Sequence, residues 1–230
     1  MAETAIIVGA GSGLSAALAR LCHKEGMRVV LAARDPGKLA ALCSETNAKA
    51  YACDAGNPDD VAALFKSVIA EIGSPDLVVY NPSARARGPI AEIDPGDVMK
   101  AITISCYGGF LVGQQAARAM LKTGKGTILF TGASASVKGF KLSAAFAMGK
   151  FGLRGLSQSM ARELAPQNIH VAHFVIDGGI GKPGDPRANE RGPDGLLDPD
   201  AIAATYLQIH RQHRSAWTAE IELRPWVETY

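Results

Sequence analysis

The apolar positions of the chain alternate between two periods. Thr4-Ala5-Ile6-Ile7-Val8 is a continuous apolar run of strand length, and Gly9-Ala10-Gly11-Ser12-Gly13 follows at once. Directly after these glycines Leu14, Ala17, Leu18 and Leu21 recur at spacings of three and four, which predicts a helix. The same alternation then continues. Residues 27–33 read as a second strand, 36–46 as a helix and 49–53 as a short third strand. Residues 57–72 form an amphipathic pattern with Val61, Leu64, Phe65, Val68 and Ile72 on one face, Asn57 as its N-cap and Pro58 in its first turn. A fourth strand is expected at 76–80, a helix at 97–121, a fifth strand at 127–131 and a long helix at 144–164. The last of these carries Leu153, Leu156, Met160 and Leu164 on its apolar stripe. A sixth strand at 169–176, a helix at 200–211 and a seventh strand at 219–223 complete the pattern.

Strands alternating with helices predict an α/β fold: a doubly wound (Rossmann) parallel seven-stranded sheet with helices on both faces, in a single domain over 1–230. In such a sheet ligands lie beyond the carboxyl ends of the strands. The loops at Gly9, Arg34, Asp54, Asn81, Ala133 and Asp177 share that edge. The segment 181–200, dense in Pro, Gly and charge, is too long for a simple connection and is expected to be a lid over a substrate cleft.

Composition narrows the classes. A net charge of +2 gives no footprint for nucleic acid or a membrane surface. Glu3 and the first strand follow the first methionine, so no signal peptide is expected, and no apolar stretch is long enough to span a bilayer. The four cysteines lack ligand spacing and read as reduced thiols of a cytoplasmic protein, with no metal site or disulfide.

The chemistry begins at the glycines. A strand, a glycine turn and a helix N-terminus together make an anion site, because free N–H groups and the helix dipole both favour negative charge. Glycine lets a phosphate approach the backbone, the other reading being a plain tight turn. The end of the second strand would then meet an adenosine ribose. Ala33 offers no carboxylate there, and the Arg34 that follows can hold a 2′-phosphate, which favours NADP(H) over NAD(H). Arg34 can equally be a solvated loop charge. Asp54 is open to two readings as well, a partner for the adenine amino group or a turn carboxylate.

Taken together, these motifs resemble the short-chain dehydrogenase/reductase family over nearly the whole chain. Gly9-x3-Gly13-Leu14 is similar to that family's T-G-x-x-x-G-[IL]-G turn, with Val8 for the threonine and Ser15 for the last glycine. Asp54-Ala55 matches its adenine-contacting Asp, Asn81 survives from N-N-A-G, and Asp177-Gly178 falls near its P-G. The resemblance implies a cofactor site made of Gly9, Gly11, Ser12, Gly13, Leu14, Arg34, Asp54, Ala55, Asn81, Lys150, Gly178 and Ile180. It also implies a homo-oligomer, dimer or tetramer, built through the long helices and the last strand.

The family's chemistry uses Asn, Ser, Tyr and Lys, the last two as Y-x-x-x-K one helical turn apart. The matching stretch here is Phe146-Ala147-Met148-Gly149-Lys150, so Lys150 is kept and the phenol is lost. The serine position falls on Ala133 and the Asn position on Ser105. Phenylalanine cannot transfer a proton, and general acid–base help is worth about 10²–10⁴-fold. Ser134, Ser143, Tyr80 and Tyr107 are the hydroxyls within reach. Ser134 is the leading candidate to donate to the substrate oxygen, its other reading being a turn serine. His170 and His173 read as structural, and His210 and His213 as a solvated basic face with Arg211 and Arg214. Trp217 and Trp226 read as packing or interface residues. The expected function is NADP(H)-dependent hydride transfer to or from a small carbonyl, alcohol or activated double bond. The alternative is a catalytically silent NADP(H)-binding protein serving as sensor or inactive subunit.

Overall fold

The computed structural model describes residues 2–229. The strands are β1 (Thr4–Val8), β2 (Arg28–Ala33), β3 (Lys49–Ala52), β4 (Leu77–Tyr80), β5 (Gly126–Thr131), β6 (Ile169–Ile176) and β7 (Glu220–Leu223). The helices are α1 (Leu14–Lys24), α2 (Ala40–Thr46), α3 (Pro58–Glu71), α4 (Pro95–Ile102), α5 (Gly108–Thr123), α6 (Ala144–Leu164), α7 (Arg187–Arg191) and α8 (Pro199–His210). All seven strands are parallel, in the order β3-β2-β1-β4-β5-β6-β7. The sequence-derived fold class is the observed one.

Successive side chains of a strand point to opposite faces. Ala5 and Ile7 of β1 therefore join a core with α1, α2 and α8, while Ile6 and Val8 join a second core with α3, α5 and α6. A strand buried on both faces reads as an unbroken apolar run, which is why β1 shows no polar alternation. The chain winds outward from β1 through β2 to β3, then restarts on the other side at β4. That reversal opens a crevice at the carboxyl edge between β1 and β4.

Several local expectations change. The helix expected over 36–46 is a short 3₁₀ turn, Pro36–Leu39, followed by α2; Asp35 caps the turn by accepting the Gly37 N–H at 3.1 Å. The helix expected over 97–121 starts earlier, where Asp94 accepts the Asp97 N–H at 3.0 Å, and it is interrupted. At Thr103–Tyr107 the backbone widens into a π-helical turn between α4 and α5. Such an inserted residue leaves the apolar periodicity on both sides intact, so the sequence pattern hides it. Asn57 does cap α3, accepting from the N–H groups of Asp59 and Asp60.

Of the basic face expected around His210, Arg211, His213 and Arg214 are exposed as expected, but His210 itself is not. The His210 side chain is buried and faces Glu3 at 3.6 Å, and burial lowers its pKa. His213 and Arg214 lie past the end of α8, where Trp217 stacks on the buried His170 ring at 4.7 Å. Trp226 is exposed and donates to the Pro193 carbonyl at 3.1 Å. Among the described residues no helix is long and apolar enough to cross a membrane.

Candidate functional site

The glycine turn leaves β1 with two hydrogen bonds back to the sheet, from the N–H groups of Gly9 and Ala10 to the Ala32 carbonyl at 2.9 and 3.0 Å. Gly9 has φ +80°, and a Cβ on it would stand 2.7 Å from Pro82. Its need for glycine is therefore internal to the protein, which corrects the reading that ligand approach explains every glycine here. Gly11 differs. A Cβ there would meet no protein atom within 4 Å, and the residue lines the crevice. Nothing in the protein itself demands glycine at 11, so the free space lies on the ligand side.

A short relay holds the turn in place. Asn81, just past β4, donates from Nδ2 to Ser15 Oγ at 2.7 Å, and the Ser15 hydroxyl donates to the Gly9 carbonyl at 3.1 Å. Ser15 is buried in the first turn of α1. Sequence reasoning registered it only as a departure from glycine. A small hydroxyl-bearing residue directly after Leu14, in the first turn of the apolar stripe, was the signal available.

The crevice is large, about 1220 Å³. Its walls come from the glycine turn (Gly9, Gly11, Ser12), the end of β2 (Ala33, Arg34, Asp35), the end of β3 (Cys53, Asp54, Ala55) and the segment after β4 (Asn81, Pro82, Ser83, Ala84). Arg34 is exposed at the rim. One Asp54 oxygen accepts the Gly56 N–H at 2.9 Å, which is the turn role, while the residue also lines the crevice. Burial pushes the Cys53 thiol up to about 12, with Asp60 and Asp54 adding to the shift, so this wall residue stays protonated.

Of the expected cofactor residues, Gly9, Gly11, Ser12, Arg34, Asp54, Ala55 and Asn81 converge on this crevice. Gly13 and the buried Leu14 stand behind them at the start of α1. Gly178 and Ile180 do not line it. Gly178 packs against Pro225, and Ile180 bridges to Leu197.

Lys150 lies beneath the crevice, not on its wall. It is 2 % exposed, and its ammonium donates to the Thr131 carbonyl at 2.8 Å and to the Pro82 carbonyl at 3.5 Å. Burial, with the nearby Arg85 charge, pulls its pKa down from 10.5 to about 7. One turn earlier on α6, Phe146 is buried with the Arg85 guanidinium 4.4 Å above its ring. Ser105, at the family's Asn position, is buried in the π-helical turn and bonds both the N–H and the carbonyl of Ala84.

The candidate hydroxyls separate. Tyr80 is buried, donates to the Ile104 carbonyl, and has its pKa raised by burial, so it is no proton donor to the crevice. Tyr107 is exposed and stacks on Phe110. Ser143 sits at the N-terminus of α6. Ser134 is half-buried and opens a 3₁₀ turn immediately after β5, its carbonyl accepting from Val137 and Lys138. The neighbouring Ser136 Oγ, fully buried, takes the Ala133 N–H at 3.1 Å.

Comparison with known proteins converges on one family. The family profile described as short chain dehydrogenase matches residues 3–181. A short-chain dehydrogenase from Rhodopseudomonas palustris is 37 % identical, with 97 % of this chain and 99 % of that one covered at a TM-score of 0.85. A metagenomic short-chain oxidoreductase solved in complex with NADP is 28 % identical, with 98 % of each chain covered at a TM-score of 0.85. An uncharacterized oxidoreductase of Staphylococcus aureus (strain N315) is 27 % identical over 97 % of both chains.

Proposed function

The chain belongs to the short-chain dehydrogenase family, a family of oxidoreductases, and from that premise we propose that it works with NADP(H) on a small carbonyl, alcohol or activated double bond. The observation that carries the cofactor reading is the crevice itself: a glycine turn with space for a ligand at Gly11, at the switch point of the sheet, rimmed by Arg34. When bound, the dinucleotide supplies or accepts the hydride. Gly11, Ser12 and Gly13 would hold its pyrophosphate at the N-terminus of α1, with Leu14 anchoring that turn to the core. Arg34 would take the 2′-phosphate, and Asp54, Ala55 and Asn81 would flank the adenosine half. Gly178 and Ile180, which stand off the crevice wall here, would reach the nicotinamide end only with the segment 181–200 closing over it as a lid.

Lys150 would act from below. A buried ammonium hydrogen-bonded to the Thr131 and Pro82 carbonyls fixes the floor and puts positive charge under the reacting end of the site. Phe146 excludes water but moves no proton, so Ser134 is proposed to donate to the substrate oxygen. With Tyr80 tied to Ile104, a carbonyl substrate leans on Ser134 for its oxygen contact, whereas an activated alkene or imine would depend less on a phenol.

The oligomer expected from the family has support on the surface. Tyr107 in the π-helical turn, Phe110 on α5, and Met148 and Phe151 on α6 are all large, apolar and exposed.

Fluorescence titration with NADPH tests the cofactor reading. Saturable binding is expected, with Arg34→Asp weakening NADPH and sparing NADH. An unchanged preference removes Arg34 from the account, and no binding at all removes the proposal. A panel of carbonyls, alcohols and activated alkenes then tests turnover. Tight NADPH binding without consumption of any substrate would point to the silent cofactor-binding role.

A further inference from the structure

Two loops meet beside Phe146. One follows β4 and carries Arg85 and Arg87; the other precedes α6 and carries Lys138 and Lys141. The Gly88 N–H donates to the Leu142 carbonyl at 3.2 Å and ties them together. Neither 83–91 nor 132–150 contains an Asp or Glu. Lys138 reaches Asp177 at 3.7 Å, a carboxylate it shares with Arg224. Among the described residues Arg85, Arg87 and Lys141 have no carboxylate at ion-pair distance.

Other guanidinium groups near α6 and the 181–200 segment are paired with acids. Arg154 meets Glu220 through two 2.7 Å contacts, and Arg187 meets Asp185 at 2.6 Å. Arg85 instead lies over an aromatic ring, with its guanidinium carbon 4.4 Å from the Phe146 centroid. An aromatic face holds the cation without using any N–H, so the forked donors stay free at the edges of the guanidinium plane. A second basic group, Lys150, lies one turn beyond Phe146 on the same helix face and has only carbonyl partners. With no acid between Arg85 and Lys150, the free guanidinium donors are left to an anionic ligand.

We propose that Arg85 is a substrate-binding residue and that the substrate of this chain is a carbonyl compound carrying a carboxylate, which the guanidinium takes in bidentate fashion. The inference rests on the oxidoreductase reading and names its substrate class; Arg85 stands beside the crevice wall, over Phe146, one helical turn from the Lys150 that bonds Pro82 of that wall. Phe146 gains a role by it. Its ring, which has no proton to give, is the platform on which Arg85 is laid.

The test pairs charged probes with uncharged ones. Three oxo acids, 2-oxobutanoate, 3-oxobutanoate and 4-oxopentanoate, and their methyl esters are titrated calorimetrically into the protein–NADP⁺ complex, where no turnover occurs. At least one acid is expected to bind about tenfold or more tightly than its ester, as a charge-assisted bidentate contact requires. Arg85→Leu should abolish that difference, and Arg85→Lys should restore part of it. NADPH affinity, read by fluorescence in the same variants, should stay at the wild-type value. Equal binding of acids and esters, no binding of any acid, or an Arg85→Leu protein that still prefers the acid overturns the proposal. If NADPH itself fails to bind, the cofactor reading falls alone. The same acids titrated into cofactor-free protein then decide on Arg85, with the same outcomes.

Discussion

Two glycines in one turn serve different masters. Gly9 is fixed by its φ of +80° and by Pro82 at 2.7 Å, whereas Gly11 has open space where a Cβ would go. The alanine variants should therefore part company. Gly9→Ala is expected to lose more than about 1 kcal/mol of stability in urea unfolding, because it adds strain and a clash at once. Gly11→Ala should unfold within about 0.5 kcal/mol of wild type and yet bind NADPH far more weakly. An equally destabilised Gly11→Ala protein would mean that this glycine, too, serves the fold. The motif was visible in the sequence; the division of labour within it was not, since it depends on a proline over seventy residues downstream. The same holds for Ser15. Its identity was plain, but its bond to Asn81 joins the start of α1 to the end of β4, which meet only because β1 and β4 pair in the sheet.

At the scale of elements, β7 is the last strand of the sheet and is held by more than its ladder. Glu220 binds Arg154 of α6, and its carboxylate also meets His173 Nδ1 of β6 at 3.1 Å. Burial, only partly offset by Glu220, lowers the His173 pKa from 6.5 to about 4. Above pH 6.5 the ring is neutral both folded and unfolded. Between pH 6.5 and 4 the unfolded chain binds a proton that the folded chain refuses, so stability falls as the pH drops through that window. His170 and His210, also lowered by burial, act in the same direction. Glu220, lowered mainly by its bond to Arg154, adds stability that is lost at still lower pH. Melting temperatures recorded from pH 7.5 to 4.5 should decline, and His173→Leu should make the decline shallower whatever its melting temperature at pH 7.5. An unaltered slope would exclude His173 as a source. The strands and helices that carry this latch were legible from period alone. The π-helical turn at Thr103–Tyr107 was not, because one inserted residue shifts the backbone without disturbing the apolar rhythm around it.

For the whole molecule, the sheet order and the two cores make a self-sufficient domain, yet α5, α6 and the π-helical turn leave Tyr107, Phe110, Met148 and Phe151 in water. Single exposed apolar residues need no explanation, but several on adjoining helices do. Light scattering after size exclusion should give a multiple of 24.0 kDa, and the double variant Phe110→Glu/Phe151→Glu should elute as the monomer with its melting transition intact. A wild-type monomer would leave these side chains without a partner of this kind.

The sequence by itself determined the fold class, the alternation of elements and the place of the glycine turn, because each follows from local periodicity and from residues adjacent in the chain. It also determined what position 146 cannot do, since a benzene ring has no proton to give. Tertiary structure alone decided which groups share the crevice. It buried Lys150 beneath Pro82, tied Tyr80 to Ile104, drew His210 in against Glu3 and laid Arg85 over Phe146. These are contacts between distant segments, and they arise when the sheet brings the ends of its strands to one edge, a placement that no spacing along the chain encodes.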